Sequence, residues 1–252
     1  MTAPAHDIHV HSSYSDGSDL AAMVQAAADA GLDGVGVADH CIVVDDDFGR
    51  RARYDLVETY EERRADIEAV RAETPIDVFD AAEVSYVPDA EAEIAAFLDR
   101  ADFEYTVGSV HFAGPYDYTG GAQYAHADEA ARRAAVETYF ETVVDLVESE
   151  LFDVAGHLDL VQRIPPLRGF AERRHYEALA GAFADSRTVP EINAGHLTRA
   201  YGEIHPEPRY LAFLRERGVE FALGTDAHRP HEVRERIAAL EERGITADVT
   251  PV

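Results

Sequence analysis

The sequence predicts an α/β fold in which seven parallel strands alternate with helices packed outside them. Three observations predict it. Short β-rich runs alternate with longer segments of helical period along the whole chain. The 252 residues, 46% of them hydrophobic, suffice for one large core, and no internal repeat, low-complexity tract or Pro/Gly linker divides residues 1–252, so a single domain is expected. A side chain able to bind a metal recurs where one strand after another should end, and in such folds the site lies at the carboxyl ends of the strands.

The first strand covers about Asp7 to His11 and is followed by Ser12-Ser13-Tyr14-Ser15-Asp16-Gly17, a Ser/Gly turn. Residues i and i+2 of an extended strand share a side, so His9 and His11 converge, with the Asp16 carboxylate just beyond. Ser18-Asp19 make a helix cap, and Leu20, Met23, Val24, Ala27 and Ala28 form its apolar stripe up to Gly31. The second strand, Gly34 to Ala38, is apolar on both faces and ends in Asp39-His40. A loop with the acidic run Asp45-Asp46-Asp47 precedes a helix from about Leu56 to Arg71, with Val57, Tyr60, Ile67 and Val70 facing inward.

Strand three, Ile76 to Ala82, stops at Glu83; after a helix near Glu91 to Leu98, strand four, Tyr105 to Val110, stops at His111. A Gly/Tyr-rich loop from Gly114 to Ala127 leads into a long helix from Asp128 to about Ser149. Strand five, Phe152 to Ala155, stops at Gly156-His157; a helix around Tyr176 to Phe183 and strand six, Val189 to Ile192, follow. Helix Pro208 to Arg217 leads to strand seven, Val219 to Leu223, which stops at Gly224-Thr225-Asp226-Ala227-His228, and helix Glu232 to Glu242 closes the domain. Short right-handed crossovers turn such a succession into a parallel sheet.

Composition narrows the function classes. The net charge of −27 comes from 49 acidic against 22 basic residues, every one of the latter Arg, and no basic stripe offsets it. Such a surface repels nucleic acid and anionic membranes, so neither is expected as a partner, and adaptation to high salt is the preferred reading of the charge. The single cysteine, Cys41, excludes an intrachain disulfide and reads as a small packing residue. The N-terminus shows no charged segment followed by an apolar stretch, and no run approaches ~18 apolar residues, so a cytoplasmic protein is expected.

His9 and His11, His40, Glu83, His111, His157, and Asp226 with His228 fall at the ends of different strands. One strand-end histidine can merely cap a loop carbonyl, but that account fails for the set.

At this point the chain resembles the PHP (polymerase and histidinol phosphatase) superfamily. The resemblance runs through Asp7-x-His9-x-His11-Ser12, Tyr14-Ser15-Asp16-Gly17, Ala38-Asp39-His40, Glu83, Gly108-Ser109-Val110-His111, Gly156-His157-Leu158-Asp159 and Gly224-Thr225-Asp226-Ala227-His228. The phrases around His111, His157, Glu191-Ile192-Asn193 and Gly202-Glu203-Ile204 look most like the histidinol-phosphatase branch. The resemblance implies a distorted seven-stranded (β/α)7 barrel holding three divalent metal ions, zinc, manganese or iron. Position by position, it implies His9, His11, Glu83 and Asp226 on the first metal. Glu83 would bridge to a second, with His111 and His157, and Asp16, His40 and His228 would hold the third.

The implied activity is hydrolysis of a small-molecule phosphate ester, L-histidinol phosphate foremost, by a hydroxide bridging two metals, with Glu83, Asp226, His228 and Arg163 in catalytic roles. Arg163 and then Arg199 are the candidates to hold the phosphate, because a planar guanidinium matches two phosphate oxygens. The chain departs from the branch at Thr198, where an arginine is common, and Arg199 falls one step later. His196, His205 and His231 are candidate proton donors or supports, and Asp39, Asp159, Glu191 and Asn193 candidates to orient the ligating imidazoles, Glu191 alternatively filling a barrel layer. A nucleotide phosphatase or exonuclease and a non-catalytic metal-stabilised module are the competing readings; the oligomeric state stays open.

Overall fold

A computed structural model of the chain describes residues 5–44 and 54–250. Its elements are β1 (His6–Val10), α1 (Leu20–Asp29), β2 (Gly34–Cys41), α2 (Leu56–Arg71), β3 (Asp77–Ser85), α3 (Glu91–Ala101), β4 (Tyr105–Ser109), the short strands β5 (Phe112–Ala113) and β6 (Tyr116–Asp117), α4 (Glu129–Glu148), β7 (Val154–Ala155), α5 (Arg173–Ala184), β8 (Val189–Asn193), α6 (Pro208–Arg215), β9 (Ala222–Gly224) and α7 (Pro230–Arg243). Among the described residues the main sheet has seven parallel strands in the order β1-β2-β3-β4-β7-β8-β9. Its two ends meet just beyond β9, where His11 N donates to Ala227 O (2.9 Å) and Asp226 N to His9 O (2.7 Å). The result has seven parallel strands with helices outside, as the sequence predicts, nearly closed into the barrel that the family resemblance implies.

Two apolar layers hold it. Val35, Val37, Val78 and Val84 pack outward with Met23, Val24 and Ile67 of the surrounding helices. The alternate positions Ile8, Ala38, Ala81, Tyr105, Val107, Val154 and Ala222 pack together inside. Strands buried on both faces read as near-continuous apolar runs, which is why β2 is legible. Gly36 has a specific reason: the Tyr105 hydroxyl crosses the barrel to donate to Ile8 O (2.5 Å), and a Cβ at position 36 would come within 1.5 Å of it.

The helix starts behave as their caps dictate. Asp19 accepts from Ala22 N (3.0 Å) and Asp128 from Ala131 N (2.8 Å), satisfying backbone donors that a first turn leaves open. Strand lengths differ from expectation. β2 and β3 run on past Ala38 and Ala82 in unbroken register, with His40 opposite Glu83 and Cys41 opposite Val84. The sequence reading stopped these strands just before Asp39-His40 and Glu83, but all three side chains are buried, His40 and Glu83 facing the barrel interior and Asp39 facing α2. β7 and β9 are shorter than expected, and the Gly114 to Ala127 loop includes one strand of a small β5–β6 hairpin. The Asp45-Asp46-Asp47 run lies outside the described residues.

A β-bulge in β1 sets up the site. Asp7 pairs with Val35 and Val10 with Val37, so three steps on β1 match two on β2. The extra residue breaks the alternation: Ile8 joins the interior layer while His9 and His11 face the interior too, and Asp7 turns instead to Thr225, accepting from its N (2.8 Å) and Oγ1 (2.5 Å).

Candidate metal centre

The strand ends bring His9, His11, His40, Glu83, His111, His157, Asp226 and His228 together at one mouth, and the Ser12–Gly17 turn delivers Asp16 to its rim. Most are buried: His9 and His11 are 0% exposed and Glu83 1%. Glu83 is the hub. Its Oε1 lies 3.3 Å from His157 Nε2 and 3.5 Å from His111 Nε2, while its Oε2 lies 3.7 Å from His9 Nε2, 3.8 Å from His11 Nε2 and 2.5 Å from His40 Nδ1. Burial opposes ionisation of Glu83, but the facing imidazoles of His40, His111 and His9 hold it well below the usual carboxylate range.

Two further groups adjoin the hub. His11 Nε2 is 3.2 Å from Asp226 Oδ1, close to His9. Asp16 Oδ1 is 3.1 Å from His228 Nε2 and 3.7 Å from His40 Nε2. His11 and His40 therefore sit on the borders between groups, His11 between Asp226 and the Asp16 set, His40 between Glu83 and Asp16. Burial and the neighbouring His228 and His40 push the His11 imidazole down to about 4.

The donor set fits divalent cations. Two donors 2.0–2.2 Å from one ion at the tetrahedral angle lie about 3.4 Å apart, and the pairs of Glu83 with His157 and His111 are separated by 3.3 and 3.5 Å. Nε2 of His9 and of His11 are buried without a hydrogen bond. A buried nitrogen in that condition is costly unless something accepts its lone pair.

The supports fix which nitrogen is presented. His9 Nδ1 donates to Glu191 Oε1 (2.8 Å), so its bare Nε2 faces the cluster. Glu191 Oε2 accepts from His157 N (3.1 Å) and Asn193 Nδ2 (2.9 Å), and Asn193 Nδ2 also reaches Asp226 Oδ2 (3.3 Å). Glu191 is thus both an interior barrel residue and an orienting one. His228 Nδ1 donates to Asp226 O (3.0 Å), and His111 Nδ1 meets Ser85 Oγ (3.0 Å). Asp226 and His157 have φ of 52° and 20°. Left-handed backbone at a non-glycine costs on the order of 1–3 kcal/mol and tends to mark functional sites.

Other expectations are corrected. Asp39 orients no imidazole: it accepts from Ser12 N (2.6 Å), Ser12 Oγ (2.7 Å) and Ser15 Oγ (2.7 Å) and so holds the turn that carries Asp16. Asp159 holds His205 Nδ1 (2.7 Å), Tyr176 Oη (2.8 Å) and Glu207 N (2.9 Å), none of them a candidate ligand. His231 is exposed and His205 fully buried, whereas His196 lines the mouth.

The mouth opens into a cavity of about 210 Å³ walled by Thr119, Leu160, Arg163, Gly195, His196 and Arg199 beyond the clustered imidazoles and carboxylates. Arg163 straps the Gly/Tyr-rich loop, donating through one nitrogen to Tyr118 O and Thr119 O (2.8 Å each). Arg199 is half exposed and pairs with Glu232 Oε1 (3.0 Å). Cys41 is fully buried in the outer apolar layer, as a packing residue would be.

Sequence reasoning missed Ser85, Tyr54, whose ring stacks on His40 at 4.8 Å, and two fully buried arginines, Arg63 and Arg236. A signal for the arginines was present. Arg63 lies on the stripe Leu56, Tyr60, Ile67 of α2, and Arg236 on the stripe Val233, Ile237, Leu240 of α7. A charge on an apolar stripe needs buried partners.

The model of the PHP domain family matches residues 7–195. A Deinococcus radiodurans protein named as a probable histidinol-phosphatase is 30% identical over 223 residues, 85% of this chain and 82% of that one. A Lactococcus lactis protein named histidinol-phosphatase is 30% identical over 149 residues, 55% of this chain and 53% of that one. In fold, the chain is similar to the crystal structure of Lactococcus lactis histidinol phosphate phosphatase complexed with zinc, L-histidinol and phosphate (TM-score 0.75, 20% identity, 98% of this chain and 96% of that one).

Proposed function

The chain belongs to the PHP domain family, and from that premise we propose that it is a metal-dependent phosphoric monoester hydrolase whose substrate is L-histidinol phosphate, cleaved to L-histidinol and phosphate. The observation that carries this reading is the division of Glu83, with one oxygen facing His111 and His157 and the other facing His9, His11 and His40. A carboxylate so placed suits a bridge between two cations. His9, His11, Glu83 and Asp226 would hold the first, Glu83, His111 and His157 the second, and Asp16, His40 and His228 the third. Zinc, manganese and iron all suit such a set. Bound divalent ions would supply acidified water at neutral pH and neutralise the charge of a phosphate.

The chain's own residues do the rest. Glu191 keeps the His9 proton on Nδ1, so the nitrogen turned to the cluster is the one free to ligate. The β1 bulge and the cross-barrel bonds of His9 O and Ala227 O hold the first and last strands in fixed relation, which places His9, His11 and Asp226 together. Arg163 and Arg199 stand on the cavity wall beyond the ligands and would receive the phosphate. The cavity size suits a small molecule, and the net charge of −27 disfavours an oligonucleotide. We read the same charge as adaptation to high salt and the protein as cytoplasmic; no helix among the described residues is long and apolar enough to cross a membrane.

The test is phosphate release by purified protein loaded with zinc or manganese and assayed at high salt. Histidinol phosphate, AMP, a 3′,5′-bisphosphate nucleotide and a short oligonucleotide are compared with and without a chelator. Chelator-sensitive turnover fastest on histidinol phosphate is expected. Preference for a nucleotide would replace the substrate, and uptake of metal with no hydrolysis of any ester would replace the enzyme by a metal-stabilised module.

A further inference from the structure

The loop Thr225–Arg229 between β9 and α7 carries two of the clustered side chains, Asp226 and His228, and Asp226 sits on a left-handed backbone (φ 52°) that L-residues rarely adopt. What holds it comes from α7. Arg236, 0% exposed, donates through NH1 to Thr225 O (3.0 Å) and Asp226 O (2.7 Å), and through NH2 to Glu232 Oε1 (2.8 Å). Glu232 Oε2 accepts from His228 N (2.8 Å) and Arg229 N (3.1 Å). One Glu–Arg pair four residues apart on a helix therefore clamps backbone groups of residues 225, 226, 228 and 229. The clamp reaches the rim as well, since Glu232 Oε1 also accepts from Arg199 NH2 (3.0 Å).

We propose that Arg236 and Glu232 are positioning residues of the metal centre, fixing the aim of Asp226 and His228 and tying Arg199 to the same loop. The proposal rests on the reading of the cluster as a divalent-cation site. Packing does not explain Arg236. Its neighbours on the stripe, Val233, Ile237 and Leu240, are apolar and buried, and an apolar side chain at 236 would continue their layer without desolvating a charge. Its Nε is moreover buried with no hydrogen bond, an expense that helix packing alone would not retain. A guanidinium fits the task where an ammonium does not. Two carbonyls and a carboxylate must be met in fixed directions, and the planar fork offers separate donors for them. With Asp226 O held by Arg236 and by His228 Nδ1, and Asp226 N by His9 O, the left-handed residue is fixed on both sides of its Cα.

The experiment compares wild type with Arg236→Met, which keeps the volume and removes the fork, and Glu232→Gln, which keeps the size and weakens the clamp. Each is measured for zinc retained against a graded chelator and for Tm in the chelated and the zinc-loaded states. The expected result is chelated Tm close to wild type, zinc retention weakened 10- to 100-fold and a smaller Tm rise on zinc addition. Tm lowered equally in both states with zinc retention unchanged would overturn the positioning role and leave a structural one. Should Arg236→Met fail to fold, Glu232→Gln decides alone, since it leaves the guanidinium its two carbonyls. Wild-type protein that takes up no zinc would overturn the cation site itself; wild type that binds zinc beside variants that bind it as tightly overturns only the positioning role.

Discussion

Replacing Glu191 by Gln isolates the link between barrel interior and metal centre. The side chain is 0% exposed and has three partners, His9 Nδ1 (2.8 Å), His157 N (3.1 Å) and Asn193 Nδ2 (2.9 Å), all donors. It lies close against the backbone of β9, where a Cβ built on Gly224 would come 2.0 Å from its Oε1. A carboxylate accepts from all three; an amide cannot. If the amide oxygen faces His9, the NH₂ confronts the N–H of His157 and the NH₂ of Asn193. Asn193 cannot flip to help without losing the bond its Oδ1 accepts from Gly195 N (2.9 Å). If the amide nitrogen faces His9 instead, the imidazole proton is driven to Nε2, the nitrogen proposed to ligate. In the first orientation a buried donor is left unsatisfied, at about 1–3 kcal/mol; in the second, zinc competes with a proton. We expect zinc affinity to fall about 10- to 100-fold, equivalent to about 1.4–2.7 kcal/mol, with the fold retained. Chelator competition followed by elemental analysis measures it. Wild-type affinity in a folded Glu191→Gln protein would refute the assignment of the His9 tautomer to Glu191.

Three other outcomes are expected. Glu83→Gln should abolish turnover and reduce bound metal while the circular dichroism spectrum stays native, because it removes the charge shared by the two groups of imidazoles; normal turnover would exclude Glu83 from the bridge. Raising KCl from 0.1 M to 2 M should raise Tm by about 5 °C or more, since the repulsion behind a net charge of −27 is screened within a few ångströms at the higher salt; a flat or falling Tm would contradict the salt reading. Burial, aided by His205 and Arg163, lowers His196 to about 2, so below pH about 6.5 the unfolded chain binds a proton that the folded chain refuses. In chelator, folding stability should therefore fall with falling pH by up to about 1.4 kcal/mol per unit from this group, and His196→Gln should flatten the slope; parallel slopes would disprove it.

Much of the fold was legible because strand ends and side-chain chemistry coincide. In β4 and β7 an apolar run is followed by a histidine, so the boundary and the functional residue announce each other. The same rule failed on β2 and β3. There the polar residue is not the end of the strand but its next interior position, and pairing goes on through His40 and Glu83. Alternation also misleads at Asp7, which by counting should face inward with His9 and His11. One inserted residue sends it to Thr225 instead, and a bulge leaves no mark in composition.

The supports of the site were harder to read than its ligands, and for a physical reason. A ligand is recognisable by its own chemistry, whereas a support is defined by what it touches. Asp39 stands one residue before His40 and so invites the role of orienting an imidazole. On β2 that one residue turns it to the opposite face, toward α2, where Arg63 NH1 donates to it (3.1 Å) and to Val37 O (3.2 Å), and NH2 donates to Asp80 (2.5 Å). Its remaining acceptor capacity goes to Ser12 and Ser15, which shape the turn presenting Asp16, and Ser15 Oγ lies 3.4 Å from His11 Nδ1. Arg63 on α2 and Arg236 on α7 thus do alike: each places a buried guanidinium behind the sheet and holds backbone carbonyls from outside the barrel, Arg63 those of Val37 and Ala81 within β2 and β3, Arg236 those of the loop after β9. The helices of this fold serve as more than a covering for the sheet, and an arginine on an apolar stripe is the sequence feature by which that service can be found.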